Sequence, residues 1–89
     1  MNDENLLGRR LKRVRKMRGL NQKQLADKAH ISFSTVGHCE RGECYPQANV
    51  LRDMAQALEV STDYLLGLKD SDPALDEYRL NLILNLMRR

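Results

Sequence analysis

Gln22–Arg41, QKQLADKAHISFSTVGHCER, is the stretch whose reading decides the fold. It holds two short helical patterns on either side of a turn. In the first, Leu25 and Ala29 lie four apart on one face. After the turn Ile31 leads in, Ser32 is a good N-cap, and Val36 and Cys39 fall three apart on one side. The opposite side carries Ser34, Gly37, His38 and Arg41, spaced i, i+3, i+4, i+7. The spacing predicts helices over Gln22–Ala29 and from Ser32 or Phe33 to Glu40. His30 stands in the turn, where a left-handed residue is needed; it is costlier there than Gly but is tolerated. A short helix with an apolar inner face and a small, polar, basic outer face suits contact with something polar and anionic.

Working outward, Leu7, Leu11 and Val14 repeat at i, i+4, i+7, which predicts an amphipathic helix from about Asn5 to Arg18. Asp3, Glu4 and Asn5 give it an acidic, capping start, and Gly19 stops it. Asn21 is the expected N-cap of the helix that follows. On the C-terminal side Gly42 ends the third helix and Pro46 closes a short loop. Val50, Leu51, Met54, Ala55 and Leu58 predict a fourth helix over Gln47–Leu58, with Gln47 a poor cap. Ser61 caps a short fifth helix containing Tyr64, Leu65 and Leu66, stopped by Gly67.

Residues 68–72 have the composition of a linker, and Asp72-Pro73 is a good N-cap and N1 pair for a sixth helix. In that segment Leu75, Leu82 and Leu86, with Tyr78 between, form one apolar stripe. Leu80, Ile83, Leu84 and Met87 form another. A helix apolar on two sides should not be left in water. It either folds back on its own core, pairs with a second copy, or holds a different protein such as an antirepressor. Nothing alternates like a strand. The class is all-α, with a domain over 1–67, a linker over 68–72, and a C-terminal apolar helix over 73–89.

Eighty-nine residues make one domain, without room for a second lobe around a substrate cleft. The net charge of +3 is mild. Its distribution says more, since seven basic residues lie between Arg9 and Arg18 while Asp70–Glu77 is acidic. This suits an oriented approach to a polyanion, although a charge run alone more often describes a solvated helix face. One Phe, three Tyr and no Trp argue against stacking on single-stranded nucleic acid. Two cysteines cannot build a disulfide framework, so a reducing cytoplasm is expected. No signal-like or 18-residue apolar run predicts export or a membrane span. The C-x4-C spacing of Cys39 and Cys44 fits no common zinc pattern, and no nucleophile has a supporting acid or oxyanion donor. Neither a metal, a cofactor nor an enzyme activity is expected.

Taken together, Leu7–Leu66 resembles the DNA-binding domain shared by phage lysogeny repressors, Cro proteins and Xre-type regulators. The matching pieces are the LxRR and RKMRGLNQ opening, QLA at Gln24–Ala26, and ISFSTV at Ile31–Val36. ERG at Glu40–Gly42, Pro46, LRDMAQALEVS and DYLLG at Asp63–Gly67 also match in order. The resemblance implies a five-helix, lambda-repressor-like bundle in which helices 2 and 3 form the helix-turn-helix. It implies that helix 3 lies in the DNA major groove. Phe33, Ser34, Gly37 and His38 would then form its base-reading face. Gln22, Lys23, Arg41 and Tyr45 would hold phosphates. It further implies a buried salt bridge between Arg15 and Glu40. Phe33 also lies near the edge of the inner face, but Ile31, Val36 and Cys39 already fill that stripe.

Three residues depart from the family pattern: His30 for the usual turn Gly, Gly37 inside helix 3, and Glu43 where a basic residue is common. No Arg, Lys, Gln or Asn precedes Arg41 in helix 3, so strong bidentate readout of G or A is not expected in its first two turns. The resemblance implies a transcriptional regulator, specifically a repressor binding a pseudo-palindromic double-stranded operator as a homodimer. Leu75, Tyr78, Leu82, Ile83 and Leu86 would make the dimer contact. The competing reading is a protein-interaction module, such as an antitoxin or immunity partner.

Overall fold

In the computed structural model the described residues are 5–70, 72, 80 and 83–87. They form α1 (Leu6–Met17), α2 (Gln22–Ala29), α3 (Phe33–Glu40), α4 (Ala48–Leu58) and α5 (Thr62–Leu66), with a further helical run over 83–87. No strand occurs among the described residues. The all-α expectation and the five helical patterns therefore agree with the structure to within a residue at each end.

Local chemistry explains the boundaries. At α2, the Asn21 side chain accepts from the Gln24 amide at 2.7 Å while the Gln24 side chain accepts from the Asn21 amide at 2.8 Å. This reciprocal pair satisfies two amides that would otherwise lack intrahelical partners. His30 ends α2 at φ 58° and ψ 43°, in the left-handed region. The chain reverses there, so that the Ile31 amide donates to Ala26 O at 2.9 Å and Ile31 packs against the core. Ser32 accepts from the Thr35 amide to start α3, and Ser61 accepts from the Tyr64 amide to start α5.

Two helix ends differ from expectation. Asn5 sits at the N-cap of α1 but its side chain makes no capping bond; its Nδ2 instead donates to Glu40 O at 3.4 Å. Glu59, after α4, takes a left-handed φ of 58° that its residue type does not signal. The C-terminal carbonyls of α4 are met from a distance, by Arg18 Nε to Leu58 O at 2.8 Å and Arg18 Nη2 to Glu59 O at 3.2 Å.

Leu11, Val14, Leu25, Val36, Cys39, Met54, Leu58 and Leu65 are completely enclosed. Each large aliphatic side chain so buried contributes about 1.5–3 kcal/mol of transfer free energy. α2 packs on α3 and α4, and α1 on α3 and α5, so the helix-turn-helix is braced from both sides. Gly8 is what brings α1 close to α3. A Cβ at that position would stand 2.6 Å from the backbone oxygens of both Cys39 and Glu40.

The stretch expected as a linker is strapped to the domain. Arg10 Nη1 donates to Tyr64 O at 2.5 Å and to Lys69 O at 2.7 Å, while its guanidinium lies 4.5 Å from the Tyr64 ring centroid. The Asp72 carboxylate is buried and accepts from the Ser61 amide at 2.8 Å. Beyond the strap, Leu80, Ile83, Leu84, Leu86 and Met87 are 42–75% exposed. At these positions the chain does not fold back on its own core. Of the residues expected to make a dimer contact, Leu75, Tyr78 and Leu82 lie outside the described residues.

Candidate nucleic-acid interface

The inner face of α3 is anchored by Val36 and Cys39 in the core and by Glu40, whose side chain is 3% exposed. Arg15 grips Glu40 bidentately, Nε to Oε2 at 2.6 Å and Nη2 to Oε1 at 3.1 Å. The third guanidinium nitrogen donates to Leu20 O at 2.8 Å. Gln22 Nε2 also donates to Glu40 Oε1, at 3.2 Å. One carboxylate thus ties α1, α2 and α3 together. Gln22, expected on a phosphate, spends its side-chain amide on this internal network. Its place at the first turn of α2 nonetheless puts its backbone beside the helix N-terminus, where anions are favoured.

The outer face of α3 emerges opposite. Phe33 is 57% exposed and is not a core residue. Ser34 and His38 are exposed, and the Ser34 hydroxyl lies 3.3 Å from Ser32 Oγ. Lys23 and Tyr45 are exposed on the flanks. Gly37 departs from its expected place in the reading face. It is buried, because the Arg41 guanidinium lies over it: a Cβ there would be 3.0 Å from Arg41 Nη1. Gly37 is therefore a seat for Arg41 rather than an open gap.

Glu43 organises the far end of this face, a role the sequence did not reveal. Its carboxylate accepts from Arg41 Nε at 3.1 Å on both oxygens, and Oε2 lies 2.8 Å from His38 Nδ1. The turn that places it there is fixed by the Glu43 amide donating to His38 O at 3.0 Å. The Arg41 hydrogen bond, then that of His38, holds the Glu43 carboxyl below the usual carboxylate range, and the same contact raises Arg41. Arg41, expected as a phosphate clamp, is thus engaged by a carboxylate of its own chain. The available signal was the acidic residue just past the helix stop, five residues after His38.

The basic run on α1 divides by function. Arg10, Arg15 and Arg18 make the internal bonds described above. Lys12, Arg13 and Lys16 are exposed. Cys39 is enclosed, and burial, followed by the neighbouring Cys44 sulfur, pushes its thiol up to about 11. Among the described residues no group of three or more His, Cys, Asp or Glu side chains is placed to hold a metal ion. No described helix is long and apolar enough to cross a membrane.

Comparisons with known proteins agree with this geometry. The family model described as a helix-turn-helix domain matches residues 6–66. The HTH-type transcriptional regulator ImmR of Bacillus subtilis is 34% identical over 79 residues, 89% of this chain. The match spans 62% of that regulator's length. The HTH-type transcriptional regulator SinR of Bacillus licheniformis is 33% identical over 86 residues, covering 92% of this chain and 78% of that protein. The crystal structure of the P22 c2 repressor in complex with synthetic operator 9T superimposes with a TM-score of 0.65. It is 32% identical, over 67% of this chain and 91% of that one. The matched span holds the Gln22–Arg41 unit together with the three helices that brace it, and the chain belongs to the helix-turn-helix family of transcriptional regulators.

Proposed function

We propose that this chain is a sequence-specific regulator of transcription, a repressor that reads double-stranded DNA through the major groove and works in the cytoplasm. The observation that carries the reading is the two-sidedness of α3. Its inner face is fixed by the core and by Arg15–Glu40–Gln22, while Phe33, Ser34 and His38 stand exposed on a rigid mount. Phe33 supplies apolar contact for a thymine methyl group. Ser34 and His38 supply hydrogen bonds, and Lys23, Tyr45 and the N-terminus of α2 flank them as phosphate contacts. With so few base contacts, DNA shape carries part of the selectivity.

The test is selection of bound duplexes from a random pool, repeated with Ser34→Ala and His38→Ala. Each variant is expected to relax one position of the selected motif. An unchanged motif in both would refute the reading face. Affinity for the selected duplex should also fall by orders of magnitude between low and moderate salt, because phosphate contacts release counterions. A flat, weak response would favour the protein-interaction module instead.

The operator-bound form is a homodimer on a pseudo-palindromic site, with half-sites about 34 Å apart, one helical turn. Supporting this is the exposed apolar run that includes Ile83 and Leu86, the described residues among the expected dimer contacts. Sedimentation of the chain truncated after Asp72 tests it, since this cut leaves the Asp72–Ser61 bond in place. The truncated chain is expected to sediment as a monomer at concentrations where the full chain is dimeric. Equal dimerisation by both would move the interface elsewhere, and a monomeric full chain would leave the segment to a different protein.

A further inference from the structure

A surface meant for a polyanion is not improved by a carboxylate, yet Glu43 sits at the end of the reading face, bonded to two of its polar side chains. Glu43 is half exposed, as are Arg41 and His38, so burial does not require the cluster. No core contact explains it either. What the carboxylate does is chemical. It takes both of its oxygens to Arg41 Nε, where a phosphate oxygen would otherwise bind. It also fixes His38 by Nδ1, since a carboxylate only accepts, and this leaves Nε2 as the ring nitrogen that Glu43 does not engage.

We infer that Glu43 is a specificity-determining residue of the reading head, an internal substitute for phosphate that withholds Arg41 from the DNA backbone and positions His38 to present Nε2 to a base edge. The inference rests on the DNA-reading assignment of α3 proposed above. Withholding one cation lowers affinity for every duplex alike. The contacts that distinguish bases then account for a larger share of the binding that remains. One phosphate contact changes the slope of log affinity against log salt by about 0.9. Between 50 and 200 mM salt that is about a threefold change in affinity.

The test compares the full chain with Glu43→Gln and Glu43→Ala, titrated on the selected duplex and on one of random sequence. Circular dichroism melts should be unchanged, because all three side chains are exposed. Glu43→Gln keeps an oxygen for His38 Nδ1 but loses the charge that holds Arg41. It is expected to bind the random duplex about threefold or more tightly at low salt, with a slope steeper by about 0.9 and the motif retained. Glu43→Ala is expected to show the same slope and, in addition, to relax the same motif position as His38→Ala. The inference is overturned if both Glu43 variants keep the wild-type slope and random-duplex affinity, or if Glu43→Ala and His38→Ala relax different positions. The underlying assignment fails separately, if Ser34→Ala and His38→Ala both leave the selected motif as in the wild type.

Discussion

Replacing Glu40 with Ala removes the acceptor on which three helices converge. In the folded protein its carboxylate receives two bonds from Arg15 and one from Gln22, and its side chain is 3% exposed. The substitution leaves the Arg15 guanidinium, itself 9% exposed, with only the Leu20 carbonyl for a partner. An uncompensated buried charge costs about 3–5 kcal/mol, against a total stability of about 5–15 kcal/mol for a domain. With a urea m-value near 1 kcal/mol/M for a domain of this size, the midpoint should fall by about 3 M or more. Urea denaturation followed at 222 nm measures it, and m should stay constant. Arg15→Ala should lose a comparable amount, and the double variant Arg15→Met, Glu40→Leu should recover much of it, since no charge is then stranded. If Glu40→Ala and Arg15→Ala each stay within about 0.5 kcal/mol of wild type, the bridge is not a brace and the fixed mounting of α3 loses its basis.

Gly8→Ala should lower stability by about 1–3 kcal/mol by the same urea assay, because the new methyl group meets two backbone oxygens that cannot rotate away. His30→Gly should raise the melting temperature by about 4 °C, relief of the left-handed backbone outweighing glycine's extra entropy; a lower melting temperature would mean the His30 ring contributes packing. At pH 8 a chromogenic disulfide reagent should titrate one thiol, Cys44, in the folded chain and both thiols in denaturant. The raised Cys39 pKa means the folded chain holds that proton after the unfolded chain has lost it. Its contribution to stability is therefore complete below the ordinary thiol pKa and declines as pH rises toward about 11, and Cys39→Ala should flatten that alkaline limb.

What the sequence made legible was most of what near neighbours in the chain govern, the left-handed Glu59 being an exception. The Leu7–Leu11–Val14 stripe, the Ser32 and Ser61 caps and the turn at His30 depend on spacings of three or four residues. The Arg15–Glu40 bridge came from the family resemblance, not from spacing, since twenty-five residues separate the partners. Contacts that depend on how helices meet were not visible. Gly8 carries no signal in the sequence, because its reason is the closeness of the α3 carbonyls, 2.6 Å from where a Cβ would stand. Arg10 and Arg18 looked like surface charge until their carbonyl partners on other elements were placed. Gly37 looked like a gap in the reading face because periodicity assigns a face but not which long side chain lies across it. Glu43 was noticed for its sign, but its partners depend on the turn after α3, which composition does not specify.

The bond from Asp72 to the Ser61 amide has a consequence for how two copies would share one operator. A tether's reach grows with the number of free residues in it, and the effective concentration of a second head falls as that reach grows. Had the tether begun at Gly67, where α5 ends, each copy would have gained five loose residues, and two heads would have tolerated half-sites over a range of separations. Fixing the chain at Asp72 shortens the tether at its root. In a homodimer the pair would then act as a ruler, and the distance between half-sites would become information to be read even where α3 touches few bases.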